Sequence, residues 1–257
     1  MTATTTSADA LAIILAAGKG TRMASSKAKV LHELQGRPLI THVLNACKTA
    51  GITSTLVVVG YQGEAVEAVV APWGSICVTQ DVQQGTGHAV RCCEHEVRCQ
   101  ANVTTVLVLC GDCPLVPPTL ISQVLALHRA SGAACTAVAA RLKDPARYGR
   151  MITDAHGHLA RIVEYKDASE VERRVQLINS GIYAFSVDAL FTSLTRITPN
   201  NAQGEYYLTD VVSVLVLGGK KVELVITDDA DAVLGINTPQ ELAHAQQILP
   251  LRMQQSQ

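Results

Sequence analysis

A short glycine-rich loop that carries two cations is the stretch of this sequence best suited to chemistry. It spans residues 16–22 (AAGKGTR) and directly follows the apolar run at residues 12–15. Glycines let backbone amides approach an anion without a side chain in the way. Because Lys27 and Lys29 follow shortly afterwards, the stretch indicates a site that holds a polyphosphate.

Two well-known phosphate-binding loops do not fit this stretch. A Walker loop requires a Gly-Lys-Ser/Thr triplet, and here Gly20 follows Lys19. The dinucleotide-binding fingerprint requires a third glycine or alanine at the position of Met23. An ordinary tight turn between a strand and a helix stays open as an alternative.

Two further polar segments follow predicted strands. Residues 80–88 (QDVQQGTGH) come after a strand at 76–78, and Gly111-Asp112 comes after a strand at 106–109. These strands are continuously apolar and alternate with helices, which is typical of a parallel sheet covered on both faces. Since ligands bind at the carboxyl ends of such strands, the three polar segments are predicted to converge at one sheet edge.

In the second half of the chain, the regular alternation of strands and helices gives way to a hairpin. Residues 147–152 and 159–164 read as two strands of a hairpin, and residues 177–183 read as a strand interrupted by an amide. The sequence therefore predicts an α/β three-layer sandwich with a mostly parallel, mixed sheet and a hairpin-bearing lobe. One domain is expected at residues 11–250, divided near residue 140, with tails at 1–10 and 251–257.

Composition narrows the class of protein. The 257 residues are 48% hydrophobic and 17% charged, with a formal net charge of −1. Near-zero charge argues against a nucleic-acid or acidic-membrane partner, and no apolar run reaches the roughly 18 residues of a spanning helix. The first ten residues lack the order of a secretion signal, which predicts a cytoplasmic protein.

The eight cysteines are expected to be free, mostly buried thiols, as in other chains of this length without a secretion signal. Cys110 and Cys113 have the spacing of a redox or zinc pair. No second Cys or His pair follows at zinc-finger spacing, so plain packing is the preferred interpretation.

Several segments together resemble the sugar-1-phosphate nucleotidyltransferases, and in particular the uridylyltransferase domains of bifunctional bacterial enzymes that make UDP-N-acetylglucosamine. In the family's order the matching segments are residues 15–23 (LAAGKGTRM), 29–32 (KVLH), 85–89 (GTGHA), 111–115 (GDCPL), 148–150 (YGR), 163–168 (VEYKDA), 179–181 (NSG), 200–210 (NNAQGEYYLTD) and 235–237 (GIN). The resemblance implies a Rossmann-like, glycosyltransferase-A-like fold with nucleotide-binding (about 11–140) and sugar-binding (about 141–237) parts.

The resemblance also implies a role for each matched position. The nucleotide-binding residues would be Leu15, Ala16, Ala17, Gly18, Gln80, Gly85 and Thr86. The catalytic cations facing the triphosphate would be Arg22 and Lys29. The sugar-binding residues would be Cys110, Gly111, Gly149, Glu164, Asn179, Tyr206 and Thr209. One Mg²⁺ would be held by Asp112 and Asn237.

The implied reaction joins UTP to N-acetylglucosamine 1-phosphate, releasing pyrophosphate. An anionic sugar phosphate needs no general base, so the site must supply alignment and charge neutralisation. Nucleotidyl transfer to another sugar or polyol phosphate, and a non-catalytic nucleotide-binding role, stay open as alternatives.

Three departures from the family pattern carry expectations of their own. Ala28 stands where the family usually has proline, which predicts a looser loop, and Cys110 stands where tyrosine is common, which predicts an altered contact near the sugar. No hexapeptide repeat is visible, so acetyl transfer is not expected. The oligomeric state stays open.

Overall fold

The structure is a computed structural model that describes residues 9–255. Its strands are Ala10–Leu15 (β1), Glu33–Leu34 (β2), Arg37–Pro38 (β3), Ser54–Val59 (β4), Ile76–Thr79 (β5), Thr105–Cys110 (β6), Cys135–Arg141 (β7), Arg150–Thr153 (β8), Leu159–Val163 (β9), Leu177–Ser186 (β10) and Val222–Thr227 (β11). Its α-helices are Leu39–Thr49 (α1), Gly63–Val70 (α2), Thr86–Cys92 (α3), Glu94–Arg98 (α4), Pro118–Ser131 (α5), Glu170–Arg173 (α6), Val187–Leu194 (α7), Thr209–Leu217 (α8) and Pro239–Gln255 (α9).

The main sheet of the described chain has the strand order β11-β7-β10-β6-β1-β4-β5, and β8 and β9 extend it beside β10. Strands β5, β4, β1 and β6 run parallel to one another, whereas β10 runs antiparallel to both β6 and β7. The sheet is therefore mixed but mostly parallel, as predicted.

Both faces of the sheet are covered, which explains why its central strands are continuously apolar. Alternate residues of β1 point to opposite faces. Ala12 and Ile14 join the core beneath α1, α2 and α5, whereas Leu11 and Ile13 join the core beneath α3, α7 and α8. Every one of these positions must be apolar, so no alternation with polar residues appears.

Helix α9 packs against the loop that follows β1. Its first turn carries a capping box, because the Glu241 amide donates to Thr238 Oγ1 (3.2 Å) and the Thr238 amide donates to Glu241 Oε2 (2.9 Å). Met23, Ile236 and Ala245 belong to a third apolar cluster beneath this helix. The loop after β1 and the end of the chain thus share a core.

The predicted α/β sandwich with its hairpin is confirmed, with differences at element ends. Strand β1 already includes Ala10, and α9 continues to Gln255. Helices α3 and α4 follow one another directly and meet at Cys93. The parts of the predicted tails at 1–8 and 256–257 lie outside the described residues. Within residues 9–255, no helix is both long and apolar enough to cross a bilayer.

Candidate active site

Two adjoining cavities open at the carboxyl ends of β1 and β6. The large cavity has a volume of about 490 Å³ and extends toward the hairpin lobe. The small cavity has a volume of about 300 Å³ and lies against the glycine-rich loop. Both are lined by Leu15, Thr86, Cys110 and Asp112, which form their common wall. A ligand with two linked parts could therefore occupy both cavities.

The structure brings sixteen of the eighteen predicted site residues to these two cavities. The small cavity adds Ala16, Ala17, Gly18, Lys29, Gln80 and Gly85 to the common wall. The large cavity adds Arg22, Gly149, Glu164, Asn179, Thr209 and Asn237. Gly111 and Tyr206 line neither cavity.

Three predicted side chains meet at one amide oxygen near the common wall. Oδ1 of Asn237 accepts hydrogen bonds from Lys29 Nζ at 3.0 Å and from Arg22 Nη2 at 2.8 Å. The Lys29 ammonium also forms an ion pair with the carboxylate of Asp112. Asp112 is buried, with 8% of the residue exposed. Residues from four separate segments therefore form one charged cluster.

The backbone around this cluster leaves little freedom. Gly20 has φ +66°, and a Cβ there would lie 2.6 Å from Cβ of Lys29, so only glycine lets the loop approach the lysine this closely. The Ile236 amide donates to the Asp112 carbonyl at 2.8 Å. The Asn237 amide donates to Glu241 Oε2 at 2.6 Å, which holds this residue at the start of α9.

The donor set at this cluster suits a hard divalent cation. Burial by itself would lower the pKa of Lys29, but attraction to Asp112 and the hydrogen bond with it outweigh that effect, so the pKa is raised and the amine stays charged. Asp112 and Asn237 thus already place oxygens around one positive charge. A carboxylate and an amide oxygen, completed by water and substrate phosphates, are ligands that Mg²⁺ accepts.

The wall of the small cavity is held by carboxamide side chains. Gln80 Nε2 lies 3.0 Å from both the Gly85 carbonyl and Nδ1 of His88, and Gln83 Nε2 donates to the Ala17 carbonyl at 2.6 Å. Gly85 has φ +103°, and a Cβ there would lie 2.6 Å from the Tyr206 carbonyl oxygen. The loop therefore presents backbone groups, with no bulky side chain, to the cavity.

The large cavity carries a partly buried carboxyl group. Glu164 Oε1 accepts a hydrogen bond from Thr209 Oγ1 at 3.2 Å, and Gly149 leaves room beside its other oxygen. Burial raises the pKa of Glu164, and nearby carboxylates including Asp210 raise it further. Opposite lies Asn179, whose Oδ1 accepts from the Tyr183 hydroxyl at 2.7 Å. These groups can accept hydrogen bonds from the hydroxyls of a ligand and can donate hydrogen bonds to them.

A buried arginine fixes the loop that forms one wall of the large cavity. Arg150 is 1% exposed. Its guanidinium donates to the Tyr148 carbonyl, to the Ala146 carbonyl (3.0 Å) and to the Arg173 carbonyl (3.1 Å). The side chain therefore ties the loop before β8 to the end of α6, and with it Gly149.

The loop before Lys29 is not loosened by the absence of proline, contrary to the expectation from the family pattern. Ala28 is fully buried, and its amide donates to Gln62 Oε1 at 2.7 Å. Proline has no N–H group and could not make this bond. The alanine thus ties the loop to the residue preceding α2.

The two predicted residues outside the cavities have other contacts. The Gly111 amide donates to the Leu15 carbonyl at 2.9 Å and packs between β1 and β6. The Tyr206 ring lies beneath the Arg91 guanidinium, 5.0 Å from centroid to Cζ, while its backbone pairs with Gln84 and Gly87. Both residues therefore support the cavity walls without lining either cavity.

Sequence reasoning missed other lining or supporting residues, namely Gln83, Tyr148, Ser180, Gly181, Tyr183 and Glu241. Gln83 lies within the predicted polar segment, and Gly181 within a matched motif, so both had a signal. Glu241 had the capping-box spacing from Thr238, but no pattern showed that it would also hold Asn237.

Comparison with known proteins decides the family. The family model described as the MobA-like NTP transferase domain matches residues 12–177, which include β1, the glycine-rich loop and Asp112. The chain belongs to this family. The nucleotidyltransferase resemblance seen in the sequence motifs is thereby confirmed.

This MobA-like NTP transferase is also similar to curated bacterial proteins. It is 45% identical over 242 residues to the bifunctional protein GlmU of Heliobacterium modesticaldum and 44% identical over 243 residues to that of Pelobacter propionicus. These alignments cover 94% of this chain but 52% of each relative. The chain therefore spans about half the length of the curated relatives it matches.

Solved structures with the same fold are also known for nucleotidyltransferases. A putative glucose-1-phosphate thymidylyltransferase from Bacillus anthracis has a TM-score of 0.74 at 19% identity, covering 93% of this chain and 94% of that one. A UDP-glucose pyrophosphorylase in complex with UDP-glucose has a TM-score of 0.75 at 16% identity, covering 94% and 98%. At such identities the likeness shows the fold.

Proposed function

We propose that this MobA-like NTP transferase moves a uridylyl group from UTP to N-acetyl-α-D-glucosamine 1-phosphate. The products are UDP-N-acetylglucosamine and pyrophosphate. The convergence of Lys29, Arg22 and Asn237 with Asp112, where two cavities adjoin, carries this proposal. A nucleotide in the small cavity and a sugar phosphate in the large cavity would meet at this cluster. The identity to GlmU relatives supports the choice of UTP and the N-acetylated sugar.

The chain's own residues would supply alignment and charge neutralisation. The phosphate oxygen of the sugar substrate attacks the α-phosphorus of UTP, and pyrophosphate leaves from the opposite side. Arg22 and Lys29 would neutralise the charge that grows on the leaving pyrophosphate. Because the attacking phosphate is already anionic, no side chain has to remove a proton.

Each cavity would bind one part of the product. Gln80, Gly85 and Thr86 would contact the uracil, and the backbone of residues 15–18 would hold the rest of the nucleotide. In the large cavity, Glu164 and Asn179 would accept hydrogen bonds from sugar hydroxyls and donate hydrogen bonds to them. Residues such as these give specificity because an unsuitable sugar leaves buried polar groups unpaired.

Asp112 and Asn237 would hold one Mg²⁺, the ion to which their oxygens are suited. When bound, the ion would add positive charge against the triphosphate and help to fix its orientation.

Pyrophosphate release tests the proposal. Initial rates are measured with UTP, CTP or dTTP, each paired with N-acetylglucosamine 1-phosphate, glucose 1-phosphate, N-acetylgalactosamine 1-phosphate or a polyol phosphate, with and without Mg²⁺. We expect the pair of UTP and N-acetylglucosamine 1-phosphate to be fastest and to require the ion. A faster rate with another pair would reassign the substrate, and no release with any pair would favour a non-catalytic nucleotide-binding protein.

A further inference from the structure

The thiols of two cysteines lie beside the carboxylate of Asp112, which is proposed above as a ligand of Mg²⁺. Cys110 is half-buried and lines both cavities, whereas Cys113 is buried and lines the large one. One sulfur atom from each cysteine and a carboxylate oxygen of Asp112 all lie within 4.8 Å of one another. Within residues 9–255, this is the only such group of three or more His, Cys, Asp or Glu side chains.

The separation between Cys113 and Asp112 matches that of two ligands around a four-coordinate cation. Sγ of Cys113 lies 3.7 Å from Oδ1 of Asp112. Around Zn²⁺, with bonds of about 2.3 Å to sulfur and about 2.0 Å to oxygen, tetrahedral ligands are about 3.5–3.8 Å apart. The other carboxylate oxygen, Oδ2, pairs with the Lys29 ammonium, so the two oxygens of Asp112 face different partners.

Charge and chemical softness favour a thiophilic metal at this position. Two thiolates and one carboxylate carry three negative charges, a divalent cation neutralises two of them, and the Lys29 ammonium balances the third. Sulfur ligands select Zn²⁺ and similar ions over Mg²⁺, which prefers oxygen. Because Cys110 and Cys113 line an open cavity, an ion can enter, and water can fill the fourth position.

We propose that Cys110, Asp112 and Cys113 form a binding site for one thiophilic divalent cation, such as Zn²⁺. Binding forms two metal–sulfur bonds and one metal–oxygen bond and releases the two thiol protons to solvent. The sequence offers no second Cys or His pair at zinc-finger spacing. In the structure, the third ligand is instead the Asp112 carboxylate, which lies inside the Cys-x-x-Cys segment.

One consequence rests on the proposed function. A thiophilic ion that takes Asp112 would compete with Mg²⁺ for the same carboxylate and would inhibit uridylyl transfer. Binding of the ion itself does not depend on catalysis. A protein that binds the ion here without any turnover would therefore contradict the proposed function and leave the metal site standing.

Titration of the full chain with Co²⁺ tests the site directly, because cobalt bound to thiolates gives a charge-transfer absorption that oxygen ligands do not. We expect one equivalent of Co²⁺ to produce this band, excess Zn²⁺ to remove it, and Cys110→Ser to abolish it. Competition against a chromophoric chelator should show Zn²⁺ affinity at least about tenfold weaker in this variant.

Two Cys–His pairs elsewhere in the chain provide matched controls. Cys92 Sγ lies 3.9 Å from Nε2 of His88, and Cys99 Sγ lies 3.7 Å from Nε2 of His95, so each pair offers two ligands on one helix face. Cys92→Ser and Cys99→Ser should keep the band. Its loss in either control, or its persistence in Cys110→Ser, would overturn the proposal.

Cys113 is buried, and its substitution therefore needs a fold check. Cys113→Ala keeps an apolar side chain at this position, and its melting temperature without metal reports whether the domain is intact. With the fold intact, we expect the cobalt band to disappear, and its retention would contradict the site. If the variant is unfolded, Cys110→Ser and the two control variants, Cys92→Ser and Cys99→Ser, decide the outcome.

Discussion

Nζ of Lys29 lies 3.0 Å from Oδ1 of Asn237, although 208 residues separate the two in sequence. The lysine follows the glycine-rich loop after β1, and the asparagine lies two residues before the start of α9. Because α9 and the loop share an apolar cluster that includes Met23 and Ala245, docking of the helix brings these atoms together. The site therefore forms only when the end of the domain has folded onto its beginning.

Removal of the charge on Asp112 should abolish magnesium-dependent turnover. We expect Asp112→Asn to lower kcat by about 10²-fold or more, because the substitution removes a ligand charge and the partner of Lys29. Pyrophosphate release across a range of Mg²⁺ concentrations measures the effect. The buried pair also contributes to stability, so the free energy of unfolding should fall by about 1–3 kcal/mol.

The control for this variant is Asp188→Asn, which removes a carboxylate whose side chain is 91% exposed. Its turnover should match that of the parent protein. Equal rates for Asp112→Asn and Asp188→Asn would exclude a role for Asp112 in the reaction.

Gly20→Ala should damage activity more than stability. A Cβ at this position would lie 2.6 Å from Cβ of Lys29, so the loop or the lysine must move. We expect kcat to fall by about tenfold or more, because a displacement near 1 Å misaligns a charged group. Steady-state kinetics measures kcat, and urea unfolding measures stability.

Gly36→Ala separates this effect from backbone strain. Gly36 has φ +73°, close to the +66° of Gly20, but nothing lies within 4 Å of the point that a Cβ would occupy. Both variants should lose about 1 kcal/mol of stability from the left-handed conformation. Only Gly20→Ala should lose activity, and a similar loss in Gly36→Ala would attribute the effect to strain alone.

Arg150→Met should disorganise the large cavity. The variant removes a donor that is 1% exposed and that the carbonyl groups of Ala146, Tyr148 and Arg173 share. We expect a loss of about 2–4 kcal/mol in the free energy of unfolding and a raised KM for the sugar phosphate, with a smaller change in KM for UTP.

Substitution of the exposed Arg196 by Met serves as the control for Arg150→Met, and it should change neither stability nor KM. An Arg150→Met protein with unchanged KM for the sugar phosphate would show that the loop before β8 does not contribute to that substrate's binding.

Glu164→Gln should stabilise the protein in a pH-dependent way. Burial raises the pKa of Glu164 in the folded state, so its ionisation favours the unfolded chain. Below the unfolded-state pKa both states are protonated, and the substitution should make little difference. As the pH rises through the higher folded-state pKa, the parent protein loses stability that the glutamine variant keeps.

Urea unfolding between about pH 4 and pH 8 measures this gain. The variant's advantage should be close to zero at the acid end and largest at neutral pH. Glu170→Gln, at an exposed position, controls for the removal of one negative charge. An advantage that is constant across the pH range would contradict ionisation as its cause.

The sequence predicted the sheet well because its strands are buried on both faces and carry an unambiguous apolar signal. It also predicted that the segments around Gly18, Gln80 and Asp112 would meet, since parallel strands end at one edge. The contribution of Asn237 came from the family resemblance alone. No local pattern can show that a turn before the last helix lies against a loop from the start of the chain.

Other features could not be predicted because they depend on contacts distant in sequence. Arg150 reads as a surface cation in the middle of a polar motif, but its burial is stabilised by three carbonyl groups. The amide of Ala28 has a partner, Gln62, 34 residues away. Helix α7 was missed because its short apolar stretch directly continues β10.

Strand β10 belongs to both halves of the protein. Its second half lies between β6 and β7, where Tyr183 pairs with Val108, and its first half reaches β8, where Ile178 pairs with Arg150. The hairpin lobe is consequently an extension of the central sheet, joined to it through β10. Exchanging the lobe for that of a relative would therefore cut through a strand in the middle of the molecule.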